Sequence, residues 1–216
     1  TPVVTTWDAD ALGLDGPVRA TIGNLAVVDL GAVGADGERV LPIVDISEQS
    51  RPVARGALAS PWIGARRLEA AGTRLYALHR NRLTLFDVGN PAAPSQIGQY
   101  TSSLGDPLEH LVLGAGNDVY LVSDHNTLLT VDVSTPTTPT LVSLIDLPES
   151  TVAAVRANNA LYLFGPEWLL IVDVTQPARP VLVRSLPVSQ PAAVTAWGDS
   201  LYLIVDGALQ VLDISA

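Results

Sequence analysis

Histidines and carboxylates are the residues of this chain whose types and spacing could support chemistry. The three histidines are His79, His110 and His125, and Asp124 directly precedes the last of them. Imidazole nitrogens and a carboxylate are ligands that zinc prefers, so zinc binding by this set is one hypothesis. The alternative, which we favour, is that three separate loops each carry an exposed histidine.

A second hypothesis concerns calcium and an acidic segment near the amino terminus. Residues 8–15 read DADALGLD, which places Asp8, Asp10 and Asp15 close together with a glycine at the sixth position of the segment. A leucine stands at the fifth position and Arg19 at the twelfth. Because calcium takes about six to eight oxygen ligands, a solvated acidic turn is the alternative that we favour.

Five further aspartates recur, each at the end of a similar pentapeptide. The segments are LPIVD at 41–45, LTLFD at 83–87, LLTVD at 128–132, LLIVD at 169–173 and LQVLD at 209–213, with separations of 42, 45, 41 and 40 residues. Each aspartate precedes a loop, where its carboxylate can accept backbone N–H bonds. We predict that these aspartates are structural, because equivalent positions of a repeat array lie too far apart to form one site.

The elements that carry these residues are predicted to be strands. A period of 40–45 residues with several strands per unit is typical of a β-propeller. Apolar runs precede four of the pentapeptides, and the dipeptides GT, GN, NN and GD before those runs predict hairpin turns. Runs such as LLIV suit sheets that are covered on both faces. We therefore predict an all-β, five-bladed β-propeller of four-stranded antiparallel blades, forming a single domain over residues 1–216.

The two ends of the chain are predicted to meet. The last unit stops after its aspartate strand, whereas the chain begins with TPVVTTW, which aligns with TPTLVSL at 138–144 and RPVLVRS at 179–185. We predict that the amino-terminal strand completes the fifth blade and covers its edge. Trp197, which stands where other units carry Ile or Ala, is predicted to fill a wider gap in the core.

Loops at one face of the predicted propeller supply the candidate binding surface, on which Asp106 and Asp124 are also expected. A tryptophan ring offers an apolar face with a polar edge, and arginine and histidine supply hydrogen-bond donors. The predicted ligand-binding residues are Trp62, Arg66, Arg80, His110, His125 and Trp168.

Signals for catalysis are few. The sequence contains no G-x-S-x-G, H-E-x-x-H or glycine-rich phosphate loop. Glu69 and Glu109 are the only acids near the predicted inner strands that could perform glycoside hydrolysis. We therefore expect a protein that is not an enzyme and has no cofactor.

Composition narrows the classes of partner. The chain has no Cys, and its net charge of −10 disfavours nucleic acid and anionic membrane as partners. No apolar run approaches the roughly 20 residues of a membrane span. Residues 66–82 are an exception in charge, since they carry five arginines and one glutamate. The chain begins with Thr, from which we expect that a leader or flanking region has been removed.

The pentapeptides, above all LLIVD at 169–173, and the proline-bearing loops that follow them resemble the LVIVD-repeat family. The first unit departs from this pattern, with the loop DISEQSRP at 45–52. The resemblance implies a propeller of bacterial or archaeal surface or secreted proteins, without a general catalytic role. We therefore predict a non-enzymatic interaction module, extracellular or on the cell surface. Its expected partners are other surface proteins or head-to-tail copies of itself. A carbohydrate-binding propeller and a glycosidase-like hydrolase are the alternatives.

Overall fold

The computed structural model of the protein describes residues 18–28, 40–48, 51–59 and 65–215. These ranges hold nineteen β-strands and no helix, arranged in five antiparallel sheets. The structure therefore confirms the predicted all-β, five-bladed propeller, with each sheet forming one blade. Several predictions fall on positions outside the described residues: the calcium ligands Asp8, Asp10 and Asp15, the loop residue Trp62, and the closing strand at residues 3–6.

The described residues group into two compact units, so the prediction of a single domain stays a prediction. Unit one contains sheets one and two, apart from residues 80–82 and the end of the last strand. The strands of sheet one are β1 (Val18–Ile22), β2 (Leu25–Val28), β3 (Val40–Asp45) and β4 (Val53–Ala59). The strands of sheet two are β5 (Arg67–Ala71), β6 (Arg74–His79), β7 (Arg82–Asp87) and β8 (Ser95–Thr101).

Unit two contains the remaining three sheets. Sheet three consists of β9 (Leu108–Leu113), β10 (Asp118–Ser123), β11 (Thr127–Asp132) and β12 (Thr140–Asp146). Sheet four consists of β13 (Ala153–Ala157), β14 (Ala160–Phe164), β15 (Trp168–Asp173) and β16 (Val181–Pro187). In the described part of the chain, sheet five has three strands, β17 (Ala193–Trp197), β18 (Ser200–Val205) and β19 (Ala208–Asp213).

Local sequence explains the hairpins between the first and second strands of each sheet. Gly23, Gly72, Asn158 and Gly198 adopt φ angles of 54°, 60°, 51° and 58°, a left-handed conformation that glycine and asparagine tolerate best. Sheet three uses a longer connection instead, which is closed by a bond from Gly114 N to Asp118 O of 2.8 Å. The predicted GN turn at 116–117 therefore lies inside this loop.

Apolar side chains from neighbouring sheets form the cores. In unit one, Val27 and Ile43 of sheet one cluster with Leu75 and Phe86 of sheet two. In unit two, one cluster joins sheets three and four and another joins sheets four and five. Within each unit the first strands of consecutive sheets pack side by side. The continuous apolar runs of the sequence therefore reflect sheets that are covered by neighbours.

Two tryptophans lie elsewhere than predicted. Trp168 is not in a loop but begins β15, where it is 6% exposed. Trp197 does not fill the core, since it ends β17 with 81% of its surface exposed. Both differences arise because the turn before β15 is short, whereas β17 ends at a hairpin that points its last side chain to solvent.

Among the described residues there is no helix with the length and apolar character that a membrane-crossing helix requires.

Candidate functional site

The five repeated aspartates form turns, as predicted. In each case Oδ1 accepts the backbone N–H of the second following residue, at distances from 2.7 to 2.9 Å. Those donors belong to Ser47, Gly89, Ser134, Thr175 and Ser215. The carboxylate of each repeat motif therefore stabilises the loop that follows the third strand of its sheet.

These bonds favour the ionised carboxylates. The backbone N–H of Ser47, helped by Arg55, lowers the pKa of Asp45 to about 2. The Thr175 hydroxyl and N–H lower the pKa of Asp173, and the Ser215 N–H lowers that of Asp213. Such shifts follow directly from hydrogen bonding to the charged form and need no catalytic role.

The opposite end of the sheets in unit two has a different character. Six segments lie there: 102–107, 124–126, 148–152, 165–167, 188–192 and 206–207. We call this set the loop end of unit two. Backbone bonds tie its segments together, such as Asp124 N to Pro107 O at 3.0 Å and Val188 N to Glu167 O at 3.1 Å. These six segments contain five acidic residues and no Lys or Arg: Asp106, Asp124, Glu149, Glu167 and Asp206. The turn between β6 and β7, which also belongs to unit two, adjoins segment 102–107 through a bond from Leu108 N to Arg80 O of 2.7 Å and carries the exposed Arg80.

One turn within this loop end is fixed by several hydrogen bonds. It joins β10 to β11, and the Ser123 side chain caps it by accepting the Thr127 N–H at 3.1 Å. Asn126 occupies a left-handed conformation with a φ of 63°, which asparagine tolerates. The bond from Asp124 N to Pro107 O then draws the neighbouring loop alongside. Asp106, one residue before Pro107, is thereby brought next to the turn.

The result is a cluster of two carboxylates and one imidazole. His125 Nδ1 lies 2.7 Å from Asp124 Oδ1 and 3.3 Å from Asp106 Oδ1. One ligand atom from each of the three side chains falls within 4.8 Å of the others. Among the described residues, these three form the one group of at least three His, Cys, Asp or Glu side chains that converge in this way. We call it the Asp–Asp–His cluster.

Electrostatics in the cluster follow from its composition. The hydrogen bond that Asp124 accepts from His125 and the charges of Asp106 and Asp124 raise the pKa of His125. All three side chains reach solvent, with 69% of the His125 side chain and about a third of each carboxylate exposed. The arrangement can hold a protonated imidazole between two carboxylates, or offer one nitrogen and two oxygens to a cation.

The prediction that each histidine is exposed on its own loop is wrong for His110, because this side chain is buried within a strand. His110 lies in β9 and is 7% exposed, and its Nε2 is 3.0 Å from Thr151 O. This contact joins the first strand of sheet three to the segment that leads into sheet four. His110 is therefore placed to stabilise the packing of the two sheets.

Trp168 has the surroundings of a core residue. It belongs to a buried cluster with Val122 and Leu128 of sheet three and with Leu147, which follows β12. Its ring lies against the backbone of Gly165, at a position that an added Cβ would occupy. Its indole Nε1 is buried without a hydrogen-bond partner. The 6% exposure leaves little of the ring for a ligand.

The predicted arginines belong to sheet two. Arg66 is exposed just before β5, and Arg80 is exposed in the turn between β6 and β7, with a φ of 48°. Of the two predicted inner acids, Glu69 lies on β5 in unit one and Glu109 on β9 in unit two. Glu69 has an accessible surface, yet nearby protein atoms displace enough water to raise its pKa.

The sequence predicted the residues of the cluster for one face of the propeller, but it did not predict that they contact one another. His125 was a predicted ligand contact, and Asp106 and Asp124 were expected on the same face. Seventeen residues, which include the whole β9–β10 hairpin, separate Asp106 from Asp124 in the chain. The available signal was positional, because the loop before a first strand and the turn after a second strand lie at the same end of an antiparallel blade.

Comparisons with known proteins agree with this architecture. The LVIVD repeat family model matches residues 34–58, 65–102, 114–146 and 164–187, which together are more than half of the chain. A search of curated protein sequences gives no match.

Solved structures of low sequence identity share the fold. A protein from Lactobacillus plantarum has a TM-score of 0.66 at 11% identity, over 90% of this chain and 69% of that one. The Pan2 WD40 domain of Neurospora crassa has a TM-score of 0.68 at 9% identity, over 92% and 63%. Apo AztD from Citrobacter koseri has a TM-score of 0.59 at 19% identity, over 93% and 57%. The chain thus spans less than two thirds of the length of the last two, and the likeness concerns the fold alone. With four repeat matches and five repeated aspartate turns, the chain belongs to the LVIVD repeat family.

Proposed function

We propose that this protein is a non-enzymatic interaction module, extracellular or on the cell surface, that presents the loop end of unit two to a basic partner surface. The observation that carries this proposal is the charge of the loop end, with five acids in six segments and Arg80 only in the adjoining turn between β6 and β7. The location rests on the family resemblance to surface and secreted proteins.

The residues that stabilise the fold differ from those that are exposed at the loop end of unit two. The aspartates of the repeat are occupied in their own turns, and the Leu, Val and Ile of the repeat form the cores. Glu149, Glu167 and Asp206, by contrast, are exposed at the loop end. An acidic field of this kind accelerates encounter with a basic surface and excludes acidic partners.

A second copy of the chain offers such a basic surface. Residues 66–82 carry five arginines against one glutamate, and Arg66, Arg67 and Arg80 are exposed. Two basic segments facing each other would repel, so a contact between copies has to join the basic segment of one to the loop end of the next. Where the basic segment of one copy meets the loop end of the next, and its own loop end stays outside that contact, the association is head-to-tail and produces rings or filaments.

Sedimentation velocity of the native chain at low and high salt tests the proposal. We expect association at low ionic strength that weakens above about 0.15 M, where screening acts within about 8 Å. Arg66→Glu/Arg80→Glu and Glu149→Arg/Glu167→Arg should each abolish association. Mixing the two variants should restore it, because the opposite charges then meet again.

The matched control is Arg179→Glu/Arg184→Glu. It makes the same change of net charge at two exposed arginines away from the loop end, so association should persist. A monomer at every salt concentration, or equal loss in the control variant, would contradict association through these surfaces. Binding of acidic glycans by the native chain and not by Arg66→Glu/Arg80→Glu would instead assign the basic segment to a glycan.

A further inference from the structure

We infer that the Asp–Asp–His cluster is a binding site for a divalent first-row transition cation of the zinc class. The inference does not depend on the proposed function, since it concerns an ion and three side chains of one chain. It replaces the sequence hypothesis of a site made from three histidines.

The three possible ligand atoms of the cluster converge on one point in space. Around zinc, nitrogen and oxygen ligands lie at about 2.0–2.2 Å from the ion, which places tetrahedral ligand atoms roughly 3.3 Å from each other. In the cluster, His125 Nδ1 is 2.7 Å from one carboxylate oxygen and 3.3 Å from the other. All three ligand atoms lie within 4.8 Å of one another, so movements of about an ångström would bring them around one ion.

The atoms of the cluster that can bind a metal suit a transition cation. Two carboxylates and one imidazole carry a charge opposite to that of a dication. The imidazole nitrogen favours transition cations over calcium and magnesium, which prefer oxygen ligands. With three protein ligands and an exposed side, the remaining positions are available to water or to a ligand atom of a partner.

The backbone holds the three side chains of the cluster in place. Three hydrogen bonds fix the turn and the neighbouring loop: Thr127 N to Ser123 Oγ, Asn126 N to Ser123 O, and Asp124 N to Pro107 O.

Calorimetric titration of the native chain with ZnCl₂ is the direct test, with CaCl₂ and MgCl₂ as probes of the oxygen-preferring class. We expect one zinc ion per chain and weaker or no binding of calcium and magnesium. His125→Gln and Asp106→Asn should each weaken zinc binding by about tenfold or more. Circular dichroism verifies that both variants remain folded.

Asp206→Asn is the matched control. Asp206 lies in the turn between β18 and β19, the same place in sheet five that Asp124 holds in sheet three, and it has no histidine beside it. Its substitution should leave zinc affinity unchanged. Equal weakening in the control would show diffuse attraction to the acidic loop end, and so would overturn the site.

A measurement on the native chain avoids any dependence on folding of the variants. Substoichiometric Mn²⁺ should broaden the NMR signals of the His125 imidazole before those of His79 and His110. Absence of zinc binding, tighter binding of calcium than of zinc, or equal broadening of all three histidines would each contradict the inference.

Discussion

The third strands of sheets four and five, β15 and β19, share a repeat sequence and have very different surroundings. LLIVD in β15 is mostly buried, with Leu169 at 0% exposure, whereas LQVLD in β19 is mostly exposed, with Leu209 at 63%. Strand β15 pairs with β14 and β16, but in the described part of the chain β19 pairs with β18 alone. The same motif is therefore buried or exposed according to its neighbours.

The second strands show the same contrast. In β14 four consecutive residues are buried, because one core cluster lies against each face of sheet four. In β18 buried and partly buried residues alternate, since the cluster shared with sheet four covers one of its faces. Thus sheet four resembles the interior of a propeller, and the described part of sheet five resembles a sheet with one covered face.

Removal of residues 1–7 should have the largest effect on stability among the tests of this comparison. We predict that residues 3–6 pair beside β19, so the deletion should lower the free energy of unfolding by several kcal/mol. That is a large share of the roughly 5–15 kcal/mol typical of a domain. Denaturant unfolding measures the loss, and an unchanged melting temperature in the truncated chain would rule out this pairing.

Leu209→Ala serves as a control in both chain lengths. If the amino-terminal strand covers β19, the substitution should cost about 2 kcal/mol in the full chain and clearly less after truncation. Equal costs in the two backgrounds would show that Leu209 gains nothing from residues 1–7.

The tryptophans give the next largest contrast. Trp168→Ala should lower the free energy of unfolding by about 3–5 kcal/mol, because it empties a site between sheets three and four. Trp197→Ala should change it by no more than about 0.5 kcal/mol, because that ring is 81% exposed. Trp168→Phe should cost less than Trp168→Ala, since it keeps an aromatic ring and removes a buried unpartnered N–H. A larger loss for Trp197→Ala than for Trp168→Ala would contradict this assignment.

Substitutions of the aspartates in the turns of sheets four and five should have similar effects on stability, although the two sheets differ in burial. Asp173 and Asp213 accept the N–H two residues later at 2.8 and 2.9 Å, so the two turns are alike in both sheets. We expect Asp173→Ala and Asp213→Ala to lower the denaturant midpoint by small and similar amounts. Asp173 should show the larger effect, because it also accepts the Thr175 hydroxyl at 2.6 Å. Unchanged midpoints together with a lost ligand signal would indicate a binding role instead.

The smallest expected effect is on acid stability. Because the pKa values of Asp173 and Asp213 are lowered in the folded protein from 3.8, both carboxylates stabilise it fully above that value. The contribution is lost as pH falls through the lowered values. Asp173→Asn/Asp213→Asn should therefore melt below the native chain at about pH 7 and approach it near pH 2. A constant difference in melting temperature across this range would contradict the linkage.

Local chemistry let the sequence by itself determine much of the fold. The hairpin dipeptides and the aspartates each determine a turn within a few residues, and both recur at intervals of 40–45 residues. The turns and the division into blades were therefore predictable. The Asn126 turn and the Asp173 cap depend on the conformational preferences of their own side chains. Both turns would form wherever the same short segment connected two strands of the same kind.

Only the tertiary structure decided burial and the site. The sequence placed Trp168 in a loop and Trp197 in the core, and both predictions were wrong because neighbouring sheets, and not residue type, determine which ring is covered. Asp106 meets His125 through a backbone bond between two loops that a whole strand pair separates. Contacts of this kind depend on how blades and loops are stacked in space, which a one-dimensional pattern of apolar residues does not encode.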